Sequence, residues 1–115
     1  VSSAQALVRR HVDSFNAGDA GTLLSDFTSD ASWVTGDYTV PGGELREFFR
    51  SAMASITPRL DLVRVVDGGS VVVAELTESW THDGEAKQAA LVAVFDLVEG
   101  RIARAKIYRE GSADA

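Results

Sequence analysis

The chain contains no cysteine. Disulfides, thiolate nucleophiles and cysteine metal sites are therefore excluded, while the redox compartment stays open. Basic residues are also scarce. There are 11 Lys and Arg against 17 Asp and Glu, for a net charge of −6 and a pI of about 4.7. Nucleic acids and anionic membrane surfaces call for a basic face, so neither is an expected partner. No apolar run approaches the roughly 20 residues that span a bilayer. The two histidines, His11 and His82, stand far apart with no carboxylates at ligand spacing, and no metal is expected. Phosphate loops, dinucleotide fingerprints and serine-nucleophile elbows are missing too, so no cofactor is expected. The opening Val1-Ser2-Ser3 shows neither the basic nor the apolar stretch of an export signal, which makes a cytoplasmic location the expectation. Only two prolines occur, Pro41 and Pro58, and both read as breakers between elements.

What is present is an ordinary globular composition. The chain has 115 residues, 45% of them hydrophobic and 24% charged, which fits one domain, residues 1–115, with a real core. The second half carries the strongest pattern. Ser70–His82, Ala86–Val98 and Arg101–Glu110 read as three long strands. Their joints, His82-Asp83-Gly84-Glu85 and Glu99-Gly100, leave no room for a crossover and return the chain antiparallel. A curved antiparallel sheet results, and the first half must cover one of its faces.

That first half supplies helices. Ser2 to Gln5 matches a capping box. A helix from Ser3 to Ala17 follows, with the stripe Ala4, Leu7, Val8, Val12 and Phe15, and His11 lies inside that stripe. Asn16-Ala17-Gly18 stops it. Asp19 caps a short second helix to about Asp26. Ala31–Thr35 reads as a strand, Gly36-Asp37 as a turn, and Tyr38–Val40 as the return. After Pro41-Gly42-Gly43 comes a third helix, Glu44 to about Ile56, burying Leu45, Phe48, Phe49, Ala52, Met53 and Ile56. Arg59–Val66 is a further strand. The order α-α-β-β-α-β-β-β-β places helices on one face of a sheet, an α+β arrangement.

Three segments carry a family resemblance. The first is Phe15-Asn16-Ala17-Gly18-Asp19, continued by Leu23-Leu24 and Phe27-Thr28-Ser29-Asp30-Ala31. The second is Pro41-Gly42-Gly43 before Leu45-Arg46-Glu47-Phe48-Phe49. The third is Phe95-Asp96-Leu97-Val98-Glu99-Gly100-Arg101-Ile102-Ala103-Arg104. Together they resemble the nuclear-transport-factor-2-like superfamily in its small bacterial SnoaL-like branch. The resemblance implies a cystatin-like conical half-barrel, one pocket between helices and concave sheet face, and a homodimer through the outer face. It says little of activity, because the scaffold hosts both enzymes and binders. It also sets the inward positions: Ala74, Leu76, Glu78 and Trp80, then Ala89, Leu91, Ala93 and Phe95, then Ala103, Ala105, Ile107 and Arg109. The small alanines at the sheet centre leave volume for a cavity.

Ketosteroid isomerase is the related enzyme whose mechanism is best defined: an aspartate base with a tyrosine and a protonated aspartic acid as oxyanion donors. Set against it, His11 falls at the tyrosine, Thr35 at the base and Ala93 at the second donor. Threonine cannot abstract an α-proton near neutral pH and alanine donates nothing, so that reaction is not expected. Two readings remain. In one, the pocket holds a small apolar or aromatic molecule without catalysis, walled by Trp33, Thr35, Tyr38, Phe49, Met53, Trp80, Ala93 and Arg109. In the other, His11 and Glu78 act as acid and base in a cyclase, dehydratase or isomerase. Against the second, His11 also reads as a core histidine bonded to one carbonyl or carboxylate, and Glu78 either as a residue at a wet pocket mouth or as an ion-pair partner of Arg109.

Overall fold

A computed structural model describes residues 3–36, 38–55 and 58–110. Ser2 of the capping box, Asp37 of the turn and Ile56 of the third helix lie outside these residues. The elements are α1 (Ser3–Asn16), α2 (Ala20–Leu24), β1 (Phe27–Thr35), β2 (Tyr38–Val40), α3 (Leu45–Ser55), β3 (Arg59–Asp67), β4 (Val71–His82), β5 (Glu85–Val98) and β6 (Arg101–Arg109). A single 3-10 turn, Gly42–Glu44, leads into α3. The expected order holds throughout, as α+β with helices first and the sheet last.

The strands form one unclosed six-stranded sheet in the order β2-β1-β6-β5-β4-β3. All neighbours are antiparallel except β1 and β6, which run parallel. Both tight turns of the long meander are built as expected. Asp83 and Gly84 have φ of 51° and 79°, Glu99 and Gly100 of 52° and 78°, so both central residues are left-handed and the turn twist matches the strands. Strand β1 starts at Phe27, four residues earlier than the expected Ala31. Its backbone is recruited by β6, where Phe27 pairs with Ile102, a long-range pairing that local pattern does not reveal.

Strand alternation places Ala74, Leu76, Glu78, Trp80, Ala89, Leu91, Ala93 and Phe95 on the buried face, as expected. It fails once. A register shift beside Asp96 and Leu97 makes Ala103 an extra residue in β6. Ile102, fully buried, takes the inward position assigned to Ala103.

Two contacts fix the covering layer. Gly42 packs so tightly on β1 that a Cβ there would lie 2.8 Å from the Ser29 carbonyl oxygen and 2.9 Å from that of Ala31. This explains the glycine after Pro41: only backbone fits. At the end of α1, the Asn16 side chain donates Nδ2 to the Leu60 carbonyl at 2.8 Å and accepts the Leu60 N–H at 2.7 Å through Oδ1. β3 is a sheet edge, and the amide thus stands in for a missing strand neighbour, satisfying both main-chain groups.

Candidate functional site

Between α1, α3 and the concave sheet face lies a cavity of about 260 Å³. Cross-strand register describes the sheet beneath it. One row runs Val72, Phe95, Ala105, Trp33; the next runs Ala74, Ala93, Ile107, Thr35; a third runs Leu76, Leu91, Arg109. Ala74 and Ala93 are direct partners at the centre. Their methyls leave space above the sheet that larger residues would fill. Helix α1 contributes Val8, His11 and Phe15, spaced three and four residues apart on one face, and α3 contributes Phe48, Phe49 and Ala52. Pro58 and Leu60 close the side toward β3.

His11 is 4% exposed. Its ring stacks on Trp33 at 5.8 Å between centroids and 20° between planes, meets Phe95 edge-on at 5.5 Å, and lies 6.0 Å from Phe27. Its Nδ1 is buried with no hydrogen-bond partner among the described residues. Burial among these rings pushes its pKa down to about 4, against a smaller opposing pull from Asp26. The imidazole is therefore neutral at neutral pH.

Glu78 is buried at the far end of the floor. Arg109 Nη2 donates to its Oε1 at 2.5 Å, and the two side chains are 11% and 19% exposed. The guanidinium carbon also lies 5.7 Å from the Trp80 ring centroid. Arg109 Nε is buried without a partner among the described residues. Carboxylate and guanidinium thus form a near-buried pair, with an indole face turned to the guanidinium. No hydrogen bond joins His11 to Glu78, which is engaged by Arg109. The arrangement can present a neutral imidazole at one end and a paired acid and base at the other.

Of the residues singled out from sequence, His11, Trp33, Thr35, Phe49, Glu78, Ala93 and Arg109 all border this cavity. The three positions matched to the isomerase, His11, Thr35 and Ala93, are among them. Three others do not border it. Tyr38 sits on the short edge strand β2, 60% exposed, with its ring 6.4 Å from Phe48. Met53 packs half-buried at the margin of the core while Phe48, Phe49 and Ala52 take the cavity side of α3. Trp80 is buried on the correct face but lies past Glu78, outside the cavity's end. Alternation assigns a face without giving depth along the strand. Val8 and Phe15 were missed as walls, although their spacing from His11 on α1 carries the signal. Pro58 and Leu60 had none; Leu60 is placed by pairing with Glu78 and by the Asn16 clamp.

Comparison with known proteins bears on the fold. The family of SnoaL-like domains matches residues 8–105. No curated protein matches the chain. A nuclear-transport-factor-2-like protein of unknown function from Burkholderia pseudomallei K96243 shares 20% identity at a TM-score of 0.85, covering 96% of this chain and 92% of its own. A putative SnoaL-like polyketide cyclase from Jannaschia sp. CCS1 shares 16% at 0.81, covering 94% and 85%. An M. tuberculosis epoxide hydrolase of the LEH-like kind shares 17% at 0.82, covering 94% and 83%. At such identities the likeness is one of fold. With the family match covering most of its length, the chain belongs to the SnoaL-like domain family, on the nuclear-transport-factor-2-like fold.

Proposed function

We propose that this protein binds a small apolar or aromatic molecule in the cavity between its helices and sheet, without catalysing a reaction on it. The observation that carries this reading is the pair of facing alanines, Ala74 and Ala93, under about 260 Å³ of space walled by Phe15, Trp33, Phe48, Phe49 and Phe95. A protein interior normally closes to crystal-like density. Space kept open by small residues and lined by aromatic rings suits an apolar guest with a few polar contacts.

The catalytic alternative, His11 and Glu78 as acid and base, has less support. No hydrogen bond couples the two, and Arg109 already engages the carboxylate. An imidazole with its pKa near 4 is a weak base and stays unprotonated at neutral pH, so it has no proton beyond its ring N–H to give. The enzymes among the structural neighbours keep the class in view without supplying residues to this chain.

The convex sheet face is assigned here to a second copy of the chain. Val73, Val92 and Val94 lie on it half-buried beside exposed Tyr108. Around them stand the ion pairs Arg64–Glu75 and Arg104–Asp96, a mixed-charge rim of the kind that a two-fold contact, with the same patch on both subunits, can accommodate.

Isothermal titration calorimetry with 2-naphthol tests the pocket. Wild type is expected to bind, and Ala93→Leu, which fills the floor, to lose that binding while keeping its fold by circular dichroism. Equal binding by both proteins would place the ligand elsewhere and overturn the reading.

A further inference from the structure

Given that pocket reading, the shape and polarity of the cavity narrow the ligand class. The floor is long in one direction. His11 stands over the row that holds Phe95 and Trp33. Arg109 belongs to the row of Leu91, and Glu78 lies beyond it opposite Ala89. Phe95 and Leu91 are four residues apart on β5, about 13 Å of strand. Between them the central row offers only Ala74, Ala93, Ile107 and the Thr35 hydroxyl.

Width and volume agree. An apolar cavity of about 150 Å³ takes up a single benzene. At about 260 Å³ this one takes more than one ring. The rings of Trp33, Phe49 and Phe95 favour a flat aromatic guest.

The chemistry at the two ends differs. A neutral imidazole offers one donor and one acceptor, and His11 lines the cavity with no hydrogen bond to its ring among the described residues. A hydroxyl can satisfy it in either tautomer. At the other end Arg109 donates and Glu78 accepts, and their charges cancel. A hydroxyl or a carbonyl can join that pair. A ligand carboxylate would sit beside Glu78 and meet its repulsion.

The geometry points to an uncharged, elongated aromatic molecule of about two rings with an oxygen at each end. A hydroxyl faces His11, and a hydroxyl or carbonyl faces the Glu78–Arg109 pair. A naphthalene with oxygens at opposite ends, hydrogen-bonded at both, matches the length of the floor.

Three probes decide this by calorimetry on the intact chain: 2,6-dihydroxynaphthalene, 2-naphthol and 6-hydroxy-2-naphthoic acid. The diol is expected to bind about tenfold more tightly than 2-naphthol, the worth of one added hydrogen bond in a buried site. The acid is expected to bind more weakly than the diol. In His11→Phe, and separately in the double variant Glu78→Leu with Arg109→Leu, the advantage of the diol over 2-naphthol is expected to vanish. Diol and naphthol binding wild type equally would overturn the two-ended ligand while leaving the pocket reading intact. Tighter binding of the acid would overturn the uncharged class. Binding of none of the three would overturn the pocket reading itself. The wild-type comparison decides the matter even if a variant fails to fold.

Discussion

At one end of the cavity a single titratable group, His11, is buried among aromatic rings. At the other, Glu78 and Arg109 are buried together. The fold treats the two differently. Among the described residues the imidazole has no charged partner in contact, so desolvation outweighs the pull of Asp26 and it stays neutral, with its pKa pushed down to about 4. The carboxylate and guanidinium each supply the other's counter-charge at hydrogen-bond distance. A lone buried group gives up its charge, whereas a pair can keep both.

The largest effect should come from splitting the pair. Glu78→Leu alone leaves Arg109 as an uncompensated charge among apolar walls, and is expected to cost on the order of 3–5 kcal/mol. Adding Arg109→Leu to it should recover most of that loss, since two apolar residues replace two charges. Urea denaturation of the single and double variants measures both. A double variant no more stable than the single one would show that the pair's worth lies in packing and not in mutual charge.

The lone histidine should announce itself through pH. In the unfolded chain His11 takes up a proton near pH 6.5; in the fold it does so only near pH 4. Between those values the unfolded state holds more protons, so stability falls as the pH drops through this window, by about 3 kcal/mol in all. His11→Phe keeps a ring in the aromatic box and removes the titration. Its stability between pH 6.5 and 4 should lose this component of the slope. A variant with the wild-type slope would mean that His11 is not the group responsible.

A smaller effect tests the wall behind the charged end. Leu60 is the cross-strand partner of Glu78 and is held by the Asn16 amide. Asn16→Ala strands two main-chain groups at the sheet edge and is expected to cost about 1–3 kcal/mol. Faster hydrogen exchange at the Leu60 amide would locate that loss. Unchanged exchange there would remove the clamp from the account.

Much of this was legible in the residues. The Asp83-Gly84 and Glu99-Gly100 turns fixed the meander, and period-two alternation put Glu78, Ala93 and Phe95 on one face. The helical stripe of α1 placed His11 beside Val8 and Phe15. Departures came where position depends on distant chain. The β6 bulge at Ala103 and the early start of β1 follow from pairing across the sheet. Tyr38, Met53 and Trp80 have the chemistry of pocket walls, but their depth along an element is set by tertiary packing. The Glu78–Arg109 contact was within reach of the sequence because cross-strand alternation gave both residues one face. The isolation of His11 was not, since it depends on three rings arriving from β1 and β5.

The measurement that bears most directly on the central claim is a heteronuclear NMR titration of the wild-type protein with 2-naphthol. Saturable shifts confined to the cavity are expected: the Trp33 indole, the Ala74 and Ala93 methyls, the His11 ring and the Arg109 side chain. Shifts confined to the convex face around Val92 and Tyr108, or no saturable shifts at all, would contradict that claim.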